Sequence, residues 1–202
     1  MRAPPMRDWK VERIKHLAEE GRFFGRDGMT HRESWTVRQI LRALNVNFAD
    51  TELKRPEEPV DVAFRDARFQ VKEILDDGRK RGDELKTDLA IALAANDESE
   101  LIEPYPQADI SFTQIVRICY ERAEALSRVK YGPHECKSVD VLYYFNWVNH
   151  HVIPPIDVPN EKTAFRSLSI VSNVYCAVVS ANVEAPMLLR ENVGKAIKYF
   201  ET

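Results

Sequence analysis

The apolar positions change period along the chain, and the changes mark the elements. Between Asp8 and Gly21, Trp9, Ile14, Leu17 and Ala18 make one stripe, which predicts a helix ended by the glycine. Trp35, Val37, Ile40, Leu41 and Leu44 repeat in the same way and predict a second helix from about Glu33 to Leu44, capped by Thr30 or Ser34. Val46-Asn47-Phe48 then opens a first strand that runs to about Leu53. The period shortens to two in Pro59-Val60-Asp61-Val62-Ala63-Phe64 and again in Phe69-Gln70-Val71-Lys72-Glu73-Ile74-Leu75. With the polar turn Arg65–Arg68 between them, these runs predict a β-hairpin.

Helical spacing returns over 83–95 and is clearest over Ser111–Lys130, where Phe112, Val116, Cys119, Ala123 and Leu126 share a face. The acidic, proline-bearing stretch Asn96–Asp109 between them predicts a loop. Val139–Phe145 is almost continuously apolar, as befits a strand covered on both faces. The stretch 150–159 reads as a proline-rich connection. Strands are predicted at 165–171 and 174–179, and a helix over 186–200. Helices, a hairpin, helices and then strands make a mixed order, which favours an α/β or α+β sandwich.

Composition narrows the class. At 202 residues and 44% hydrophobic, the chain is long enough for one sizeable core, and a single domain is expected. No apolar run approaches the roughly 20 residues that span a bilayer, and the N-terminus lacks the apolar core of a secretory signal. Three widely spaced cysteines argue against a disulfide framework and fit a reducing cytoplasm. The net charge of −3 counts against a generally basic nucleic-acid binder. Its distribution is uneven, however, because the first 46 residues are rich in arginine and Arg79-Lys80-Arg81 follows the hairpin. That triplet is the candidate contact to nucleic-acid phosphates.

The hairpin carries the candidate chemistry. Side chains alternate along a strand, so Val60, Val62 and Phe64 share one face and Asp61 takes the other. Gln70 and Lys72 likewise share a face, with Val71 behind them. An acid, an amide and an ammonium on one side of a hairpin suit a divalent metal with oxygen ligands and a cation beside it. The histidines at 134, 150 and 151 lack zinc-site spacing, and no phosphate-binding glycine loop or Gly-x-Ser-x-Gly elbow occurs.

The pattern Pro59-x-Asp61 followed by Gln70-Val71-Lys72 resembles the PD-(D/E)XK nucleases, in which an acid near a hairpin precedes an acid-x-lysine on the next strand. It departs from them in two places: one extra residue follows Pro59, and Gln70 replaces an acid. The wider chain, from about 30 to 200, is similar to a bacterial family of endonucleases defined only as a domain of unknown function. Arg32–Val37, Val139–Asn146 and Phe165–Val171 carry that similarity together with the hairpin.

The resemblance implies a restriction-endonuclease-like α/β domain, a mixed sheet flanked by helices with a helix, three strands, helix, strand core. Residues 1–30 would form an N-terminal helical extension and 31–202 the nuclease-like core. It implies a Mg²⁺- or Mn²⁺-dependent endonuclease acting on DNA, with Asp61 and Gln70 as metal ligands, Lys72 beside the phosphate, and Glu33 supplying the carboxylate that Gln70 lacks. Glu57 and Glu58 are further acids near the hairpin. The alternative is a catalytically inactive module of the same fold that binds nucleic acid or protein.

Overall fold

The computed structural model describes residues 7–25, 28–76, 80–101, 108–147, 150–155 and 157–198. In chain order the elements are α1 (Arg7–Phe24), α2 (Met29–Ala43), β1 (Leu53–Lys54), β2 (Val62–Phe64), β3 (Ala67–Leu75), α3 (Arg81–Ala94), β4 (Ala108–Ser111) and α4 (Phe112–Val129). They continue as α5 (Pro133–Cys136), β5 (Asp140–Asn146), β6 (His150–Ile153), β7 (Ser167–Val171), β8 (Tyr175–Ala181), α6 (Met187–Arg190) and β9 (Lys195–Lys198). The protein is mixed α/β, with a mixed sheet flanked by helices. The chain forms two compact units, one from 1–32 with 77–106 and the other from 33–76 with 107–202. The helical unit therefore takes in α3 as well as the N-terminal segment expected as a helical extension.

In the helical unit, α1 packs on α3. Lys10 Nζ donates to the carbonyls of Leu93 and Ala95 at 2.7 and 2.8 Å, at the C-terminal end of α3. Helix ends leave such carbonyls without intrahelical donors, and an ammonium there also opposes the negative end of the helix dipole. Arg32 closes the end of α1 in the same manner, through the Phe23 carbonyl at 2.7 Å and the Gly25 carbonyl at 3.1 Å.

The other unit is built on a seven-stranded sheet of order β1-β2-β3-β5-β7-β8-β9. Its centre, β3, β5 and β7, is parallel, and both flanks are antiparallel. Alternation along β5 explains how two helices cover it. Val141, Tyr143 and Phe145 pack with Phe112, Ile115, Val116 and Cys119 of α4, while Leu142 packs with Val37, Ile40 and Leu41 of α2. The strand is central and buried on both faces, as its apolar run requires. Fully burying one such large apolar side chain stabilises the fold by about 1.5–3 kcal/mol. Ser111 caps α4, accepting from the Gln114 N–H at 3.2 Å while the Gln114 side chain accepts from the Ser111 N–H at 2.8 Å.

Three expectations are corrected. The strand expected from Val46 shrinks to the two residues of β1. Its first part is held by local side-chain bonds instead: Arg65 Nη2 donates to the Asn47 carbonyl at 3.0 Å, and Glu52 accepts from the Ala49 N–H at 2.9 Å. The connection expected over 150–159 begins as β6, which pairs in parallel with β4 before the two prolines stop it. The helix expected over 186–200 ends at Arg190. Gly194 takes φ +80° and donates its N–H to the Val178 carbonyl at 2.9 Å, which turns the chain into β9 beside β8. The expected loop at 96–109 lies partly outside the described residues.

Candidate active site

The hairpin turns earlier than expected, over Arg65 and Asp66, and Arg65 adopts φ +52°. Positive φ in a two-residue turn matches the twist of the strands that it joins. The resulting register sets Val62 against Phe69. One step further back, the Asp61 N–H donates to the Phe69 carbonyl at 2.9 Å. Asp61 therefore stands beside Gln70. Val62, Phe64, Phe69 and Val71 pack with α2, and Ile74 packs with the α4 cluster. By alternation, Asp61, Gln70 and Lys72 lie on the α4 face of the sheet.

Contacts fix the arrangement. Asp61 Oδ2 accepts the Val71 N–H at 2.8 Å and the side-chain NH₂ of Gln70. The Gln70 carbonyl oxygen accepts the hydroxyl of Tyr131, which follows α4. A carboxylate only accepts, so the NH₂ end of Gln70 must face Asp61 and its oxygen must face Tyr131. Gln70 is buried at 3% exposure, so the aligned amide is shielded from competing water.

Burial lowers the pKa of Lys72. Asp61 opposes that shift most strongly, Lys130 adds to it, and Glu33 and Glu58 oppose it more weakly. The ammonium is thus sheltered and sits within the field of three carboxylates. Tyr131 is pushed up to about 12, by burial first and then by Asp61, Glu135 and Glu58. Its hydroxyl accordingly stays a donor at neutral pH. Lys130 Nζ lies 5.3 Å from the centroid of the Tyr131 ring.

Asp61, Gln70 and Lys72 come together as the alternation requires. Glu33 is buried on α2, which packs on the other face of the sheet, and it reaches Lys72 as a charge through space. Glu58 acts on Lys72 in the same way. Of the basic triplet, Arg79 lies outside the described residues and Lys80 is exposed. Arg81 is buried, with its guanidinium carbon 3.7 Å from the centroid of the Phe24 ring. That stacking engages the face of the guanidinium. Tyr131 was missed. In the sequence it reads only as the residue before Gly132-Pro133, where the long helix ends.

Mg²⁺ is a hard ion that prefers oxygen and is usually held by one or two carboxylates, waters and substrate phosphates. Among the described residues, no group of three or more His, Cys, Asp or Glu is clustered to hold an ion alone. Asp61 would supply the one carboxylate ligand that this donor set offers such an ion, with Glu33 and Glu58 adding negative potential nearby. Gln70 fits less well as a ligand, because Tyr131 occupies its oxygen. Its evident work is to align Asp61.

No helix among the described residues is long and apolar enough to cross a membrane. No curated protein matches the chain. A solved structure of a protein of unknown function from Pseudomonas aeruginosa strain PAO1, described as belonging to a monooxygenase superfamily, is similar at 21% identity and a TM-score of 0.58. The match covers 98% of this chain and 97% of that one and shows a shared fold. The model of a family described as "Putative endonuclease, protein of unknown function (DUF1780)" matches residues 8–201, and the chain belongs to that family.

Proposed function

We propose that the protein is a metal-dependent nuclease that hydrolyses phosphodiester bonds, with DNA as the preferred substrate. The observation that carries this reading is the meeting of Asp61, Gln70 and Lys72 on one face of the hairpin, with Lys72 sheltered beside the acid. The element order supports it. With α3, β4 and α5 set aside as insertions, α2, β1-β2-β3, α4 and β5, which is parallel to β3, come in the order expected of the nucleases that the motif resembles. The family description points the same way.

Bound Mg²⁺ or Mn²⁺ would polarise the phosphate and lower the pKa of an attacking water. Asp61 would hold the ion, and Glu33, on the other face of the sheet, would add only its charge through space. Lys72 stabilises the charge that develops on the phosphate oxygens. Gln70, fixed by Tyr131, keeps Asp61 oriented. Of the basic triplet, Arg81 is directed to Phe24. The three cysteines are buried and free, in keeping with a reducing, cytoplasmic setting.

One observation favours a second reading, a nuclease-like module without activity: an amide stands where an acid is usual, and Tyr131 engages its carbonyl. Digestion of plasmid, linear duplex, single-stranded DNA and RNA with Mg²⁺ and Mn²⁺ tests the proposal, with Asp61→Ala as control. Cleavage by the wild type alone upholds it. Metal-independent nucleic-acid binding without cleavage of any substrate supports the second reading.

A further inference from the structure

A groove of about 490 Å³ runs between β3 and α4, lined by Lys72 and Ile74 of β3, Tyr143 of β5, and Arg122, Leu126 and Val129 of α4. Its volume is that of a small-molecule pocket. Three features define its chemistry. Ile74, Leu126 and Val129 give it apolar walls, and Val129 is 88% exposed, so that side chain adds little to the core. Lys72 and Arg122 give it two cations. The acid beside them, Glu73, is held by Asn146 Nδ2 at 3.3 Å. Lys72 also belongs to the candidate active site, two residues beyond Gln70 on the same face and so roughly 7 Å along the strand. The groove is therefore continuous with the place where a phosphate would be attacked.

We propose that this groove is the subsite for the nucleoside next to the scissile phosphate of a nucleic-acid strand. The base packs on Leu126 and Val129, and Arg122 takes the neighbouring phosphate. This rests on the phosphodiester reading of the site and extends it to a substrate preference. A base can enter a pocket on a helix face only when it is unstacked, so single-stranded or splayed ends are favoured over intact duplex. Apolar walls without a patterned set of donors and acceptors give little discrimination among the four bases.

The test uses the full chain in EDTA, so that binding is read without cleavage. The probes are a single-stranded trinucleotide with central 2-aminopurine and the 2-aminopurine mononucleotide. The trinucleotide should bind with a change in fluorescence, and the mononucleotide more weakly, since it lacks the second phosphate. Val129→Glu and Arg122→Ala, both at exposed positions, should each weaken trinucleotide binding about tenfold, the scale of one lost base–side-chain or phosphate contact. Circular dichroism and thermal unfolding should match the wild type.

Wild-type affinity in both variants would overturn the proposal. So would a wild type that binds neither probe, which would leave the groove to a protein partner. Equal affinity for the two probes would overturn the assignment to a strand in favour of free nucleotide. The parent reading fails separately. If Val129 and Arg122 govern binding but no nucleic acid is cleaved with any metal, the subsite stands and the nuclease does not. If cleavage occurs and is indifferent to both substitutions, the nuclease stands and the subsite does not.

Discussion

Two acids stand on neighbouring stretches of the sheet and are treated in opposite ways. Asp140, at the start of β5, is fully buried and accepts from Arg166 Nε at 3.0 Å, Ser167 Oγ at 2.8 Å, the Arg68 N–H at 2.8 Å and the second arm of the Arg166 guanidinium. Both of its oxygens serve the joint between β3, β5 and β7. Asp61 is only partly buried and accepts from one backbone N–H and one amide, and Lys72 on the same face feels its charge. A carboxylate closed by a two-pronged arginine is finished as structure. One aligned by a neutral amide beside a sheltered lysine keeps its charge available for chemistry. Position in the strand does not separate these roles, whereas the identity of the donors does.

The largest expected effect follows from that difference. Asp140→Ala should destabilise the fold by about 3–5 kcal/mol, because it strands a mostly buried guanidinium without its partner. Asp61→Ala should cost no more than about 1–3 kcal/mol, the scale for donors left unsatisfied. Chemical denaturation of the two variants, side by side, measures the contrast. Equal losses would erase it.

Next in size is Lys72→Ala. Removal of a cation aimed at developing charge should lower kcat/KM by about 10²–10³, with modest change in KM. Steady-state cleavage kinetics measure this, and a fall in binding alone would recast Lys72 as a phosphate anchor.

How far this contrast was legible in the sequence depends on how far apart its partners lie. The hairpin was legible because Val60, Val62 and Phe64 alternate with Asp61, and that same alternation brought Asp61, Gln70 and Lys72 to one face. Strand β5 and helix α4 were legible from the continuous run and the single stripe. Tyr131 was not, since it meets Gln70 across 61 residues and no local pattern ties an aromatic at a helix end to a strand amide. The pairing of Asp140 with Arg166 was hidden in the same way, although an acid inside Val139-Asp140-Val141 is itself a sign that a donor must come from elsewhere. The C-terminal stripe misled because Met187, Leu189, Val193 and Ile197 suit either period, and Gly194 decided for the strand.

Tyr131→Phe probes the buttress. It should cost about 1–2 kcal/mol for the lost bond to Gln70, and it should loosen Asp61 enough to weaken metal binding severalfold. It also carries a pH signature. A tyrosine raised from 10 to about 12 contributes stability that is fully present below pH 10 and is lost as pH climbs through 12. Denaturation midpoints from pH 9 to 12 should fall more steeply in the wild type than in Tyr131→Phe, and parallel curves would exclude the buttress.

The smallest effect is the most diagnostic of the amide. Gln70→Glu sets a second carboxylate against Asp61. Without metal it should be slightly less stable than the wild type, and with Mn²⁺ it should bind more tightly, as isothermal titration would show. An unchanged affinity would mean that position 70 does not govern the acid beside it.

The most direct test of the central claim is cleavage by Asp61→Asn in the presence of Mn²⁺, alongside the wild type, on single-stranded and duplex DNA. This substitution keeps the shape of the side chain and removes its charge, so folding should survive. A catalytic role for Asp61 requires cleavage by the wild type and loss of at least about a hundredfold in the variant, the scale for losing one preorganised electrostatic contact. Equal cleavage by both proteins would contradict it.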